Sequence, residues 1–265
     1  MAAAPRRGLD RDELVRSMES QVNASKIFFA IFLIDQELKE PPIAFCGTGT
    51  VVARGVLLTC WHCVRTPAPE GHVYVACRRE DDGRYVPHVM TAIEQHPEGL
   101  DLAMARVDVE AEERIVLYAG EPETAMPTWS YGYPHTSLTT DAAGRRQFNL
   151  GPRYLQGYIM RGFNHDQPGF RSTPSLELDM PTPDGLSGAG LFKHPTDQMI
   201  GLVYASHKVA TIEAFERVDP ETGEREPEIQ QVVTFGLAHS VESLRDFAGT
   251  ATGGRRLREL IPEAK

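Results

Sequence analysis

Three short segments carry the side-chain types that acyl-transfer chemistry needs. In Leu57-Leu58-Thr59-Cys60-Trp61-His62-Cys63-Val64 an apolar run delivers a histidine, and in Leu100-Asp101-Leu102-Ala103-Met104 an acid opens an apolar run. In Asp184-Gly185-Leu186-Ser187-Gly188-Ala189-Gly190 a serine sits among glycines, which free the backbone to turn its N–H groups inward. A hydroxyl becomes a useful nucleophile when a base takes its proton, a carboxylate fixes the tautomer of that base, and N–H groups face the developing oxyanion. His62 is therefore the candidate general base, Asp101 the orienting carboxylate and Ser187 the nucleophile. Asp108 is a nearby alternative, but Asp101 opens its strand whereas Asp108 ends it, so Asp101 is preferred.

The same residues allow two competing constellations. Cys60 and Cys63 bracket His62 as a two-cysteine knuckle, and Cys46 and Cys77 would complete four thiolates around a structural zinc. A second paired motif is lacking, so the expectation is no metal and no cofactor. Ser187, Asp219 and His239 also run in the nucleophile-acid-histidine order of an α/β-hydrolase esterase. The elbow of that fold wants glycine two residues after the serine, where Ala189 stands, and its helices must alternate with parallel strands.

The elements that would position these residues are strands. At 265 residues and 41% hydrophobic the chain can bury a sizeable core, and its 19 prolines and 23 glycines are scattered as in many short strands joined by turns. The fold class expected is all-β. Lys26–Asp35, Gly47–Ala53, Val56–Thr59, Val73–Cys77, Val86–Glu94 and Leu102–Val107 form one set of strands. Thr128–Tyr131, Tyr154–Met160, Ser175–Leu178, Gly190–Phe192, Ile200–Tyr204 and Val232–Ala238 form a second. Helical periodicity is confined to Leu9–Val22, with Leu14, Val15, Met18 and Val22 on one face, and to Val241–Phe247. The organisation expected is a helical segment over residues 1–25, strand-built halves at 26–120 and 124–249 joined by a connector at Glu110–Glu123, and a linker with a charged tail over 250–265.

Charge narrows the function further. Lys and Arg number 27 against 37 Asp and Glu, a net charge of −10 that repels nucleic acid and anionic membrane surfaces. No apolar run reaches the ~20 residues of a bilayer span, and no secretory core is legible, so a cytoplasmic protein with reduced cysteines is expected.

The order histidine, aspartate, serine along the chain resembles that of the chymotrypsin-fold (trypsin-like) serine peptidases. Leu178-Asp179-Met180 through Ser187-Gly188-Ala189 is similar, without gaps, to the run into the nucleophile of bacterial members, although Ala189-Gly190 stands where the family has Gly-Gly-Pro or similar. Met199-Ile200-Gly201-Leu202-Val203-Tyr204 resembles the strand lining the substrate cleft, and Val241–Phe247 the terminal helix. The resemblance implies two six-stranded antiparallel β-barrels with the cleft between them, and peptide-bond hydrolysis through an acyl-enzyme. It further implies an oxyanion hole from the N–H groups of Gly185 and Ser187, specificity positions at Pro181 and Thr182, and Tyr204, Ala205 and Ser206 pairing with the substrate backbone. Cys46 and Cys63 match positions that form a disulfide in secreted members.

Leu186 stands where digestive members carry the aspartate that receives a newly cut N-terminus, so that mode of activation is not expected, and control by a regulatory partner is. The charged run Glu213–Glu228 matches a loop beside the specificity pocket and suggests a preference for basic peptides. The non-enzymatic alternative is an inactive relic of this fold used as a binding module.

Overall fold

The structure is a computed structural model describing residues 23–38, 41–64, 67–80, 82–110, 115–134, 136–140, 146–218, 222–223 and 225–264. The helix expected over Leu9–Val22 lies outside the described residues. The first strand, β1 (Phe28–Asp35, Phe-Phe-Ala-Ile-Phe-Leu-Ile-Asp), is buried on both faces because side chains alternate across a pleat. Phe29 and Ile31 enter the main core, while Ala30, Phe32 and Ile34 enter a second cluster with Val75, Cys77 and Tyr133.

Six more strands complete the first half: β2 (Ala44–Ala53), β3 (Val56–Thr59), β4 (His72–Arg79), β5 (Tyr85–Val89), β6 (Thr91–Gln95) and β7 (Ala103–Arg106). Their order is β5-β4-β1-β2-β3-β7-β6. The two edges, β5 and β6, are consecutive in the chain and separated by Met90 alone, so one bent segment pairs with β4 by its first half and with β7 by its second. This curls the sheet round on itself.

The second half closes by hydrogen bonds. After β8 (Val116–Tyr118) come β9 (Pro127–Gly132), the hairpin β10 (Ser137–Thr140) and β11 (Arg146–Asn149), then β12 (Arg153–His165), β13 (Thr173–Leu178), β14 (Gly190–Lys193), β15 (Gln198–Val218), β16 (Arg225–Ser240) and β17 (Glu263–Ala264). Strands β9, β12, β13, β16, β15 and β14 pair in that order, and β14 pairs back to β9, giving a closed antiparallel ring of six. The expected all-β, two-barrel architecture is therefore present, with a closed ring in one half and a curled sheet in the other. Among the described residues no helix is long and apolar enough to cross a membrane.

Two sequence expectations are corrected. The stretch read as linker and charged tail is docked: Leu257 and Ile261 are buried, and β17 pairs in parallel with β8. Apolar residues at positions 257, 260 and 261 form a helical stripe that surrounding arginines hide in composition. The last two barrel strands are also far longer than expected, because β15 and β16 stay paired from Ser206↔Gly236 out to Val218↔Arg225.

Candidate active site

Strand pairing brings His62 and Asp101 together. Thr59 pairs with Ala103 across β3 and β7, so the chain leaving β3 and the chain entering β7 emerge at one end of the sheet. His62 follows on a single helical turn, Trp61–Val64, and Asp101 stands two residues before β7. Asp101 is fully buried, and an isolated carboxylate there would be costly, yet this one is well supplied with donors. The His62 backbone N–H donates to Oδ1 at 2.9 Å, His62 Nδ1 lies 2.7 Å from Oδ2, and Gln167 Nε2 donates to Oδ2 at 3.0 Å. An ionised carboxylate only accepts, so His62 Nδ1 carries the proton and Nε2 is left as the basic nitrogen of the neutral ring.

Ser187 comes from the other half. Its segment is a tight turn between Pro183 and β14, with Gly185 at φ +95° and Gly188 at φ +91°, conformations open to glycine at little cost. Gly188 also has no room for a side chain, since a Cβ would lie 2.0 Å from the carbonyl oxygen of Thr48. The turn is clasped by β2: Thr48 N–H donates to Ser187 O at 2.9 Å, Thr48 Oγ1 to Gly185 O at 2.7 Å, and Thr50 Oγ1 to Gly188 O at 3.0 Å. Gly190 N–H returns a 2.8 Å bond to Thr50 Oγ1. Thr48 and Thr50, which alternate with Gly47 and Gly49 in the sequence, are the signal for this clasp.

His62, Ser187, Gly185 and Asp184 line one cleft of about 340 Å³ together with Phe45, Cys46 and Thr136. The N–H groups of Gly185 and Ser187 donate to no acceptor among the described residues, which is the condition for binding an oxyanion. Ser187 Oγ donates to the carbonyl of Tyr204 at 3.1 Å. Burial opposes charging of His62, but hydrogen bonds to Asp101 and Cys63, and the charges on those groups, outweigh it and raise the imidazole to about 10.

The remaining sequence candidates divide. Thr182 is buried and its hydroxyl donates to Ala205 O, whereas Pro181 is exposed. Ser206 pairs with Gly236 of β16, where a Cβ would lie 2.5 Å from the Thr182 methyl. Gly236 thus packs between the candidate positions Thr182 and Ser206, although no sequence signal marked it. Asp108 lies with Arg54 and His88 at a separate cavity and does not reach His62.

The esterase arrangement is not formed as imagined. His239 is fully buried behind Asp101, with Nε2 3.2 Å from the Asp101 carbonyl, and burial pushes it down to about 4. Asp219 lies outside the described residues. The four-thiolate set does not converge either, because Cys77 belongs to the second core cluster and Cys60 and Cys63 to the first. Cys60, His62 and Asp101 bring ligand-type atoms within 4.8 Å of one another, but Cys60 Sγ donates to Val203 O and the other two bond each other. All four cysteines are free thiols.

Comparison with known proteins agrees with this geometry. Residues 47–202 match the family model of the trypsin-like peptidase domain. No curated protein matches the chain. Among solved structures, the active form of the Rv3671c protease from M. tuberculosis superposes with a TM-score of 0.55 at 14% identity, covering 100% of this chain and 95% of the other. Its inactive form gives 0.52 at 15% identity, covering 89% and 90%. The HtrA-type protease AlgW, crystallised with a decapeptide, gives 0.55 at 16% identity, covering 87% of this chain and 65% of the other. At such identities these likenesses speak to the fold alone.

Proposed function

Because the chain belongs to the trypsin-like peptidase family through residues 47–202, we propose that it is a serine endopeptidase with Ser187 as nucleophile, His62 as general base and Asp101 as the orienting carboxylate. The observation that carries this reading is the buried 2.7 Å contact of Asp101 with His62 Nδ1 in the cleft that Ser187 also lines. Ser187 Oγ attacks the peptide carbonyl carbon as its proton passes to His62 Nε2, and the oxyanion is held by the N–H groups of Gly185 and Ser187. The C–N bond breaks as His62 protonates the leaving amine. Water then attacks the acyl-serine with His62 again as base, releasing the acid and restoring the hydroxyl.

A peptide substrate is further supported by the fold neighbour AlgW, which was crystallised with a decapeptide. The reading includes the cytoplasmic setting expected from the sequence, where control by a partner protein would restrain the activity. The bond from Ser187 Oγ to Tyr204 O favours a second reading, an inactive scaffold used for binding. The test that separates them is labelling with a fluorophosphonate and mapping of the modified peptide. Modification of Ser187 is expected, and an unlabelled, properly folded protein would leave the binding module.

A further inference from the structure

The catalytic carboxylate of this reading is held by a residue from the opposite half of the molecule. Gln167 lies in the segment between β12 and β13, and its Nε2 donates to Asp101 Oδ2, the oxygen that also faces His62 Nδ1. The orientation of the amide is chemically determined: a carboxylate oxygen accepts, so the nitrogen must face it. Gln167 Oε1 is then buried without a partner among the described residues. Half of the amide is thus left unsatisfied while its other half meets Asp101, which is not how a side chain held by general hydrogen bonding looks.

The backbone presents this amide deliberately. Gln167-Pro168-Gly169-Phe170 closes with a 3.0 Å bond from Phe170 N–H to Gln167 O, and Gly169 has φ +82°. Proline followed by glycine at positive φ is the pattern of a type II turn. The same loop is fastened to the segment that carries Asp101. Arg171 N–H donates to Gly99 O at 3.1 Å, and Arg171 Nη1 lies 3.1 Å from Glu98 Oε2. At the loop's origin, His165 Nδ1 lies 2.8 Å from the hydroxyl of Tyr204, whose carbonyl takes the Ser187 hydroxyl.

We propose that Gln167 is a positioning residue: its amide, held out by the 167–170 turn, keeps the Asp101 carboxylate aligned on His62, so that the order of the β12–β13 loop sets the reactivity of Ser187. The inference rests on the assignment of Ser187, His62 and Asp101 made above. Its mechanism is direct. A carboxylate free to rock about its own bond holds the imidazole in a broader range of orientations, and misplacement on the ångström scale slows a reaction on the order of 10²-fold. Loss of the donor also leaves the negative charge of Oδ2 less shared, so the imidazolium is held more tightly.

The experiment is the rate of fluorophosphonate labelling of the full chain as a function of pH, which needs no knowledge of the natural substrate. The titratable groups around His62 are Asp101, the thiols of Cys46, Cys60 and Cys63, buried His239 behind Asp101, and Asp184 at the cleft. None of them is changed by the substitutions used. Gln167→Ala is expected to lower the plateau rate by about 10- to 100-fold and to move the midpoint of its rise to higher pH. Gln167→Glu keeps the size but not the donor, and is expected to raise the midpoint further. Arg54→Ala removes only an exposed ion pair with Glu110 at a separate cavity and is expected to leave the midpoint unchanged. A wild-type rate and midpoint in both Gln167 variants, or the same midpoint shift in Arg54→Ala, would overturn the proposal. If Ser187→Ala is still labelled, the parent assignment fails, whereas an unlabelled Ser187→Ala beside unaffected Gln167 variants sinks this inference alone.

Discussion

Ser187 donates its hydroxyl proton to the carbonyl oxygen of Tyr204 at 3.1 Å, so the proposed nucleophile rests on β15. Attack requires a rotation about the Cα–Cβ bond that turns Oγ toward His62, a change between staggered rotamers. The resting bond ties the hydroxyl to β15.

Removing that hydroxyl separates chemistry from folding. Ser187→Ala is expected to cost on the order of 10⁶ in hydrolysis, while losing one hydrogen bond worth about 1 kcal/mol of stability. His62→Ala should be as severe, and Asp101→Asn should leave about 10⁻⁴ of activity through the wrong tautomer. Turnover of a peptide library together with thermal melts checks all three. Near-wild-type turnover in the alanine variant would end the serine mechanism.

The pH dependence follows from His62. Only the neutral imidazole takes a proton, and its folded value is raised from 6.5 to about 10. Hydrolysis should therefore rise with pH, with its acid limb displaced above 6.5. Stability runs the other way. A group bound more tightly to its proton in the folded state stabilises fully below its unfolded value, and this contribution fades as pH climbs from 6.5 toward about 10. Asp101→Asn should bring the acid limb down and flatten the alkaline loss of stability. Paired rate and melting profiles test both signs, and a limb left in place by Asp101→Asn would contradict the assignment.

The legible and illegible parts of this molecule differ by contact order. His62, Asp101 and Ser187 each sit in a contiguous run whose composition states the local need: an apolar strand end, an acid opening a strand, a glycine-rich turn. Gln167 meets Asp101 across 66 positions, and Thr48 meets Gly185 across 137. Such pairs depend on how two separately built halves dock, which no local pattern encodes. Pro168-Gly169 is a local turn pattern, but nothing local says that the turn aims an amide. In the C-terminal stretch the misreading was local, because the Thr250–Gly254 run suggests a linker while Leu257, Leu260 and Ile261 hold a helical stripe.

Activity should survive both a thiol reductant and a metal chelator. The site is assembled from hydrogen bonds, and the four cysteines are free. Loss of turnover on chelation, restored by zinc, would show that Cys60, His62 and Asp101 use their proximity to hold a metal.

Activation by a new N-terminus is not expected. Leu186 is fully buried, and its Cδ1 would lie 2.7 Å from a Cβ added at Gly132, so the position is packed and apolar. An ammonium inserted there would lose its hydration without gaining a counter-charge, at a cost of several kcal/mol. Chains beginning at each residue from Asn23 to Phe28 should match the specific activity of the full chain or fall below it. A large gain tied to one start would refute this.

Substrate preference is where the structure redirects the expectation drawn from charge. The acidic run Glu213–Glu228 suggested basic residues at the cleaved position. In the fold its tip stands beyond Val218↔Arg225, twelve residues past Ser206, or roughly 40 Å along the ribbon at about 3.3 Å per residue. Charges at that distance exceed the ~8 Å screening length of physiological salt several times over. Among the substrate-binding positions that the resemblance implies, Ala205 faces Leu237 and Ser206 faces Gly236, with Thr182 beside them: its methyl abuts Gly236 and its hydroxyl is spent on Ala205 O. No carboxylate belongs to this set, so an arginine or lysine entering it would be desolvated without a partner. Small apolar residues are therefore expected to be preferred at the cleaved position, by about 1–3 kcal/mol per methylene that does not fit. Thr182→Gly should widen acceptance toward larger apolar residues while leaving fluorophosphonate labelling of Ser187 in place. A cleavage-site library read by mass spectrometry decides the matter, and a preference for Arg or Lys that weakens with salt would return the argument to the acidic ribbon.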